Sequence, residues 1–231
     1  MLGIIIILIV SWLLLHFIEK KNLSALGILS LPKALTDITI GFVFIVIITL
    51  LAIVLESWLL PIQWQINEVI DYKTIASSLL YYFKSALTED LVFRGAILYI
   101  LVSKLGFKTG LILSTITFGA YHWFSYGLLP SEDIRIIPLM YVFFITGFAG
   151  FVWAYAFIKT GSIMMPLGFH LGNNFILGLF YENNPYGELI FSQLSKGQFS
   201  NEYLYLLYLI IKGIFAPLLT LFFINYWVRK K

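Results

Sequence analysis

Long apolar runs separated by short polar clusters fill most of the chain, at 2–18, 38–60, 75–103, 109–129, 136–158, 163–180 and 204–228. Hydrocarbon about 30 Å thick takes roughly 20 residues of helix at 1.5 Å rise each, so each run reads as a membrane span. The third run is the longest and least apolar, because it carries Lys84, Glu89, Asp90 and Arg94. Pro32 is expected to break the first connection and Pro61 to end the second span, while Ser131-Glu132-Asp133 is expected to cap the fourth turn. The segment 181–203, rich in Asn, Gly and Tyr, is the longest connection and is expected at the membrane interface. No tandem repeat and no strand-like alternation stands out. The pattern predicts an all-α fold: a polytopic transmembrane helical bundle of about seven spans. It forms a single integral membrane domain over 1–231, with two N-terminal helices in 1–74, a core in 75–180, and an interfacial loop and last helix in 181–231.

Composition strengthens this reading. Of 231 residues, 60% are hydrophobic and 12% charged, against roughly 25% charged in a soluble domain. With so few charges the apolar surface needs lipid to cover it. Cysteine is absent, which excludes thiol nucleophiles and disulfides. The formal net charge of +3 is spread along the chain and makes no basic stripe for nucleic acid.

Charge placement gives an orientation. With the N-terminus outside and the C-terminus inside, Lys20, Lys21, Lys33, Lys104, Lys108, Lys159, Arg229, Lys230 and Lys231 fall on the cytoplasmic side, against Lys73, Arg135 and Lys196 outside. The first run lacks a basic leader and a small-residue cleavage site before Glu19-Lys20-Lys21, so it is expected to be an uncleaved anchor. The plasma membrane is the expected location.

A charged residue at a helix centre costs about 2.5–3.5 kcal/mol on insertion scales, so the polar clusters within the spans carry the chemistry. They are Thr88-Glu89-Asp90-Leu91-Val92-Phe93-Arg94-Gly95, Phe118-Gly119-Ala120-Tyr121-His122 and His170-Leu171-Gly172-Asn173-Asn174. Asp90 and Arg94 are four apart, so they share a helix face and suit a buried ion pair. Glu89 points about 100° away from that face. His170 and Asn174 are likewise four apart. Small residues beside each cluster (Gly95, Ala96, Gly119, Ala120, Gly168, Gly172) favour close helix packing, so Glu89, His122, His170 and Asn174 can meet in one cavity. A desolvated carboxylate acts as a base toward water, and an imidazole with a carboxamide can donate to an oxyanion. Asn173 reads as helix–helix packing, and Lys212 as a snorkelling lysine without an evident partner.

The ordered set Glu-Asp-x-x-x-Arg, Phe-x-x-x-His and His-x-x-x-Asn, from Glu89 to Asn174, resembles the three motifs of the CAAX-processing and bacteriocin-immunity family of intramembrane proteases. That family includes the membrane enzyme that trims prenylated CAAX proteins. The resemblance implies that Glu89 and His122 activate a water, that His170 and Asn174 stabilise the oxyanion, and that Arg94 holds the first motif's acid. The chain departs from the usual pattern at Asp90, where a second Glu is commoner. It implies a membrane-associated protein or peptide as substrate, and membrane lipid as surroundings.

Other chemistries find less support. There is no His-Glu-x-x-His helix, no Gly-x-Ser-x-Gly elbow and no intramembrane aspartyl dyad. Glu89, His122 and His170 would also make a His₂-carboxylate site for a divalent metal such as zinc. A non-catalytic immunity or scaffold protein, a proton-coupled transporter and a bis-histidine haem protein are the remaining alternatives.

Overall fold

The computed structural model describes residues 2–28, 30–60, 62–129, 135–195, 199 and 201–229. Its helices are α1 (Leu2–Leu14, continued by a π-helical turn over Leu15–Glu19), α2 (Leu31–Leu59), α3 (Tyr72–Arg94), α4 (Ala96–Leu105), α5 (Phe107–Ser125), α6 (Ile136–Thr160), α7 (Met164–Phe180) and α8 (Glu202–Arg229). A 3-10 turn covers Leu23–Leu26, and two short strands, β1 (Gln63–Ile66) and β2 (Phe191–Ser195), pair antiparallel. The architecture is the expected all-α membrane bundle.

Beside an apolar core, many large apolar side chains point outward and a set of polar ones points inward, unlike the pattern of a soluble bundle. Ile5, Ile9, Ile47, Val54, Phe144, Ile211 and Phe222 are exposed, whereas Ser78, Asp90, Arg94, Ser114, His122 and His170 are buried. On α2 the buried stripe is Ala34, Asp37, Gly41, Ile45, Thr49, Ile53 and Glu56, a period of three to four that gathers the small and polar residues on one face. By length and composition the helical segment from Leu2 to Glu19, α2, α6 and α8 can each cross a membrane. The other expected spans, α3 with α4, α5 and α7, are the ones that carry the polar clusters.

Connections alternate between two faces, as alternating spans require. At one face Glu19 accepts from Ser103 Oγ (2.8 Å) and pairs with Lys104 (3.1 Å), and Ile163 N donates to Leu26 O (3.0 Å). At the opposite face β1 pairs with β2, and Asn67 Nδ2 donates to Glu188 O (2.6 Å).

Four local expectations change. The third run is two helices, because Gly95, with ψ −131°, leaves the helical region and turns Ala96–Leu105 back toward α5. Pro32 opens α2 rather than breaking a loop: in the first turn its missing N–H has no carbonyl to meet anyway. The β1–β2 ribbon was not expected, since strands of four and five residues are too short to show alternation. Lys212 has a partner: its Nζ lies 2.7 Å from Glu56 Oε1, and the Tyr181 and Tyr208 hydroxyls donate to the same carboxylate. The Lys212 ammonium also sits 3.9 Å above the Tyr181 ring, so the cluster joins α2, the end of α7 and α8. Pro61 and Ser131-Glu132-Asp133 lie outside the described residues.

Helices α2 and α7 run in the same direction and touch backbone to backbone. A Cβ on Gly41 would meet the Met165 carbonyl, one on Gly168 the Ile38 carbonyl, and one on Gly172 the Ile45 side chain. Backbone cannot give way as a side chain can. Gly168→Leu is therefore expected to lower the melting temperature of the detergent-solubilised protein, at a cost of at least about 1–3 kcal/mol. Gly3→Leu, at a position with nothing within 4 Å, is expected to leave it unchanged.

Candidate active site

Three helices supply the polar residues: α3 brings Glu89, Asp90 and Arg94, α5 brings His122, and α7 brings His170 and Asn174. The foundation is the Asp90–Arg94 pair. Arg94 Nη1 donates to Asp90 Oδ1 at 2.6 Å, one turn back on α3, and both side chains are 0% exposed. The guanidinium carbon lies 3.7 Å from the Phe118 ring centre and 5.3 Å from that of Trp153. Nε and Nη2 of Arg94 have no hydrogen-bond partner. The aromatic faces stabilise the cation there, since a planar delocalised cation on a π face is attracted by about 0.5–2 kcal/mol.

Asp90 also holds a histidine. His170 Nδ1 lies 3.3 Å from Asp90 Oδ1, the oxygen already shared with Arg94. Trp153 stacks on the His170 ring at 4.5 Å and 20°. His122 is fixed from its own helix: its Nδ1 lies 2.8 Å from the Phe118 carbonyl, and the Phe118 ring meets it edge-on at 4.5 Å. This assigns a use to the first residue of Phe-x-x-x-His. Its carbonyl, one turn back, orients the imidazole, while its ring lies against Arg94.

These contacts decide which ring atoms are left over. Facing a carbonyl and a carboxylate, both Nδ1 atoms carry hydrogen, so both Nε2 atoms turn to the gap between the helices. There they meet Glu89. Its Oε2 lies 3.7 Å from His170 Nε2 and 3.9 Å from His122 Nε2, and its Oε1 accepts from Ser85 Oγ at 3.3 Å. Oε2 is buried without a hydrogen-bond partner, although the Glu89 side chain is 15% exposed as a whole. Separations of 3.7 and 3.9 Å are too long for direct hydrogen bonds, yet an oxygen placed to one side reaches such atoms at about 2.8 Å. In this state the gap is lined by acceptors, which suits a water that donates its hydrogens.

Of Glu89, His122, His170 and Asn174, predicted to meet in one cavity, the first three converge, whereas no hydrogen bond or ion pair joins Asn174 to them among the described residues. Asp90 and Arg94 pair as expected, with His170 added. Asn174 lies one turn beyond His170, half-buried, and its Oδ1 accepts from Asn173 Nδ2 at 3.5 Å. Sequence reasoning did not single out Trp153, Ser85 or the Asp90–His170 contact. Ser85 was within reach of it, four residues before Glu89 on the same helix.

A tetrahedral metal with bonds of about 2.1 Å sets its ligand atoms about 3.4 Å apart. The two His–Glu separations are wider. Among the described residues no group of three His, Asp or Glu side chains could hold a metal ion.

Residues 71–176, which contain every residue of this cluster, match the family model described as type II CAAX prenyl endopeptidase, Rce1-like. Over that segment the chain is similar to the Rce1-like family, in agreement with the resemblance carried by its three motifs. No curated protein and no solved structure matches the chain.

Arg94→Ala is expected to destabilise the protein by about 3–5 kcal/mol, because Asp90 would remain buried and uncompensated. Arg94→Lys is expected to recover part of this, since an ammonium keeps the charge without the planar face set against Phe118. Melting temperatures in detergent and the amount of protein in the membrane read both.

Proposed function

We propose that the protein is a glutamate-based intramembrane endopeptidase that hydrolyses a peptide bond of a membrane-associated protein or peptide. The observation that carries this reading is the orphaned Glu89 Oε2, buried between two imidazole Nε2 atoms that are each oriented by a contact on their other nitrogen. A buried carboxylate oxygen without a partner is costly and calls for an explanation. A bound water that it can deprotonate supplies one.

In this mechanism Glu89, assisted by His122, takes a proton from the water as its oxygen attacks the carbonyl carbon. The developing oxyanion is met by the Asn174 amide N–H and by His170 Nε2–H when that ring carries both protons. The Asp90 carboxylate at Nδ1 holds the His170 ring in place. Collapse of the tetrahedral intermediate breaks the C–N bond, and the proton held by Glu89 passes to the leaving amine. The products are one new carboxylate and one new amine. The lysine and arginine placement favours an orientation with the N-terminus outside and the C-terminus inside, and the plasma membrane is the proposed setting.

A quenched peptide ending in a farnesylated CAAX sequence, alongside its unlipidated counterpart, tests this with the full chain in detergent. Wild type is expected to cleave, and Glu89→Gln to lose activity to background. His122→Ala is expected to lose about 10²–10⁴-fold and Asn174→Ala about 10²–10³-fold in kcat. Cleavage is expected to persist in a strong chelator. Absence of cleavage by wild type, or a Glu89→Gln variant as fast as wild type, contradicts the proposal and favours a partner-binding role for the same cluster.

A further inference from the structure

We infer that Thr49 on α2 and Asn173 on α7 are positioning residues that set the direction in which the Asn174 carboxamide points. The inference rests on the protease reading, in which Asn174 donates to the oxyanion.

Thr49 is 3% exposed in the middle of an apolar helix, so its hydroxyl needs an acceptor inside the protein. Helical threonines usually have one at hand, the carbonyl four residues back. Thr36, Thr88, Thr115, Thr117, Thr146, Thr160 and Thr220 all donate there. Thr49 departs from that habit. Its Oγ1 reaches across to α7 and donates to Asn173 Oδ1 at 3.4 Å. The crossing is possible because Gly172, one residue before Asn173, lets α7 approach Phe42 and Ile45 of α2 without a side chain between them.

The polarity of this contact propagates. A carboxamide has one oxygen and one NH₂ group, so engaging one end fixes the other. With its oxygen turned to Thr49, Asn173 presents Nδ2 to Asn174 Oδ1, 3.5 Å away. With that oxygen occupied in turn, Asn174 has its Nδ2 hydrogens left to offer. Among the described residues no acceptor takes them. Reversal of the Asn174 amide would set an oxygen against the developing oxyanion, turning attraction into repulsion. Both hydrogen bonds are long, so each biases its partner's orientation modestly, and the expected effect is a fraction of that of Asn174 itself. A Thr–Asn contact between helices can also be simple packing glue. The two roles differ in what they change: glue changes stability, whereas a positioning pair changes kcat through Asn174.

The test uses the full chain in detergent and the quenched farnesylated peptide, with melting temperatures measured in parallel. Thr49→Val keeps the shape and removes the donor. It is expected to lower kcat about tenfold with KM nearly unchanged, a loss bounded by that of Asn174→Ala itself. Thr49→Ser is expected to restore the rate. In the Asn174→Ala background, Thr49→Val is expected to cause no further loss, because the group it orients is already gone. The inference is overturned if Thr49→Val turns over like wild type, or if it costs the same factor with Asn174 present and absent. Should Glu89→Gln cleave as fast as wild type, or wild type not cleave at all, the protease reading fails and this inference fails with it. Inactive Glu89→Gln beside a fully active Thr49→Val removes this inference alone.

Discussion

A guanidinium sealed among apolar helices has to have its charge met by the protein, and Arg94 is such a group, with a side chain that is 0% exposed. Asp90 meets the charge from the same helix; Phe118 of α5 and Trp153 of α6 cover its faces. The carboxylate that neutralises it also holds His170 of α7. One ion pair therefore ties together four helices. Taking it apart would leave a buried charge, at a cost comparable to a large share of the stability of a typical domain. Such a pair is poor evidence of stability for its own sake, since apolar residues of similar volume would often serve as well. Its value here is geometric. By occupying the inward face of α3 it leaves Glu89, about 100° around the helix, facing the gap where the imidazoles meet.

Two further features keep that gap in shape. The close packing of α2 on α7 at Gly41, Gly168 and Gly172 fixes the helix that carries His170 and Asn174. Toward the opposite face from Glu19 and Lys104, Glu56 gathers Lys212, Tyr181 and Tyr208 and ties α8 to α2 and α7. The segment after α7 folds back along that end: Leu189 and Ile190 N–H groups donate to the Gly178 and Leu179 carbonyls, and β2 pairs with β1. The side chains of the cluster are thus set on helices whose packing is held by contacts outside the cluster as well as by the ion pair within it.

Much of this was legible in the sequence, for a physical reason. An ionisable residue at membrane depth is costly enough that three such clusters, each beside small residues, imply one shared interior. The i,i+4 spacing of Asp90 and Arg94 already contains their pair. The parts that were not legible are long-range or hang on one dihedral. Gly95 reads like the other small packing residues, and nothing local separates a glycine that packs from one that breaks the helix. Lys212 and Glu56 are separated by 156 residues and Thr49 and Asn173 by 124, so neither pair leaves a periodicity. Trp153 looked like one more apolar residue of a span, and its stacking on His170 depends on how α6 packs against α7.

The central claim is that Glu89 performs hydrolysis and does not merely line a cavity. The most direct test compares peptide termini in the membranes of cells expressing wild type with those expressing Glu89→Gln, at matched protein levels. The account predicts defined new termini with wild type alone, their parent bonds lying near the membrane. Identical profiles, with the variant supporting the same phenotype as wild type, would contradict it.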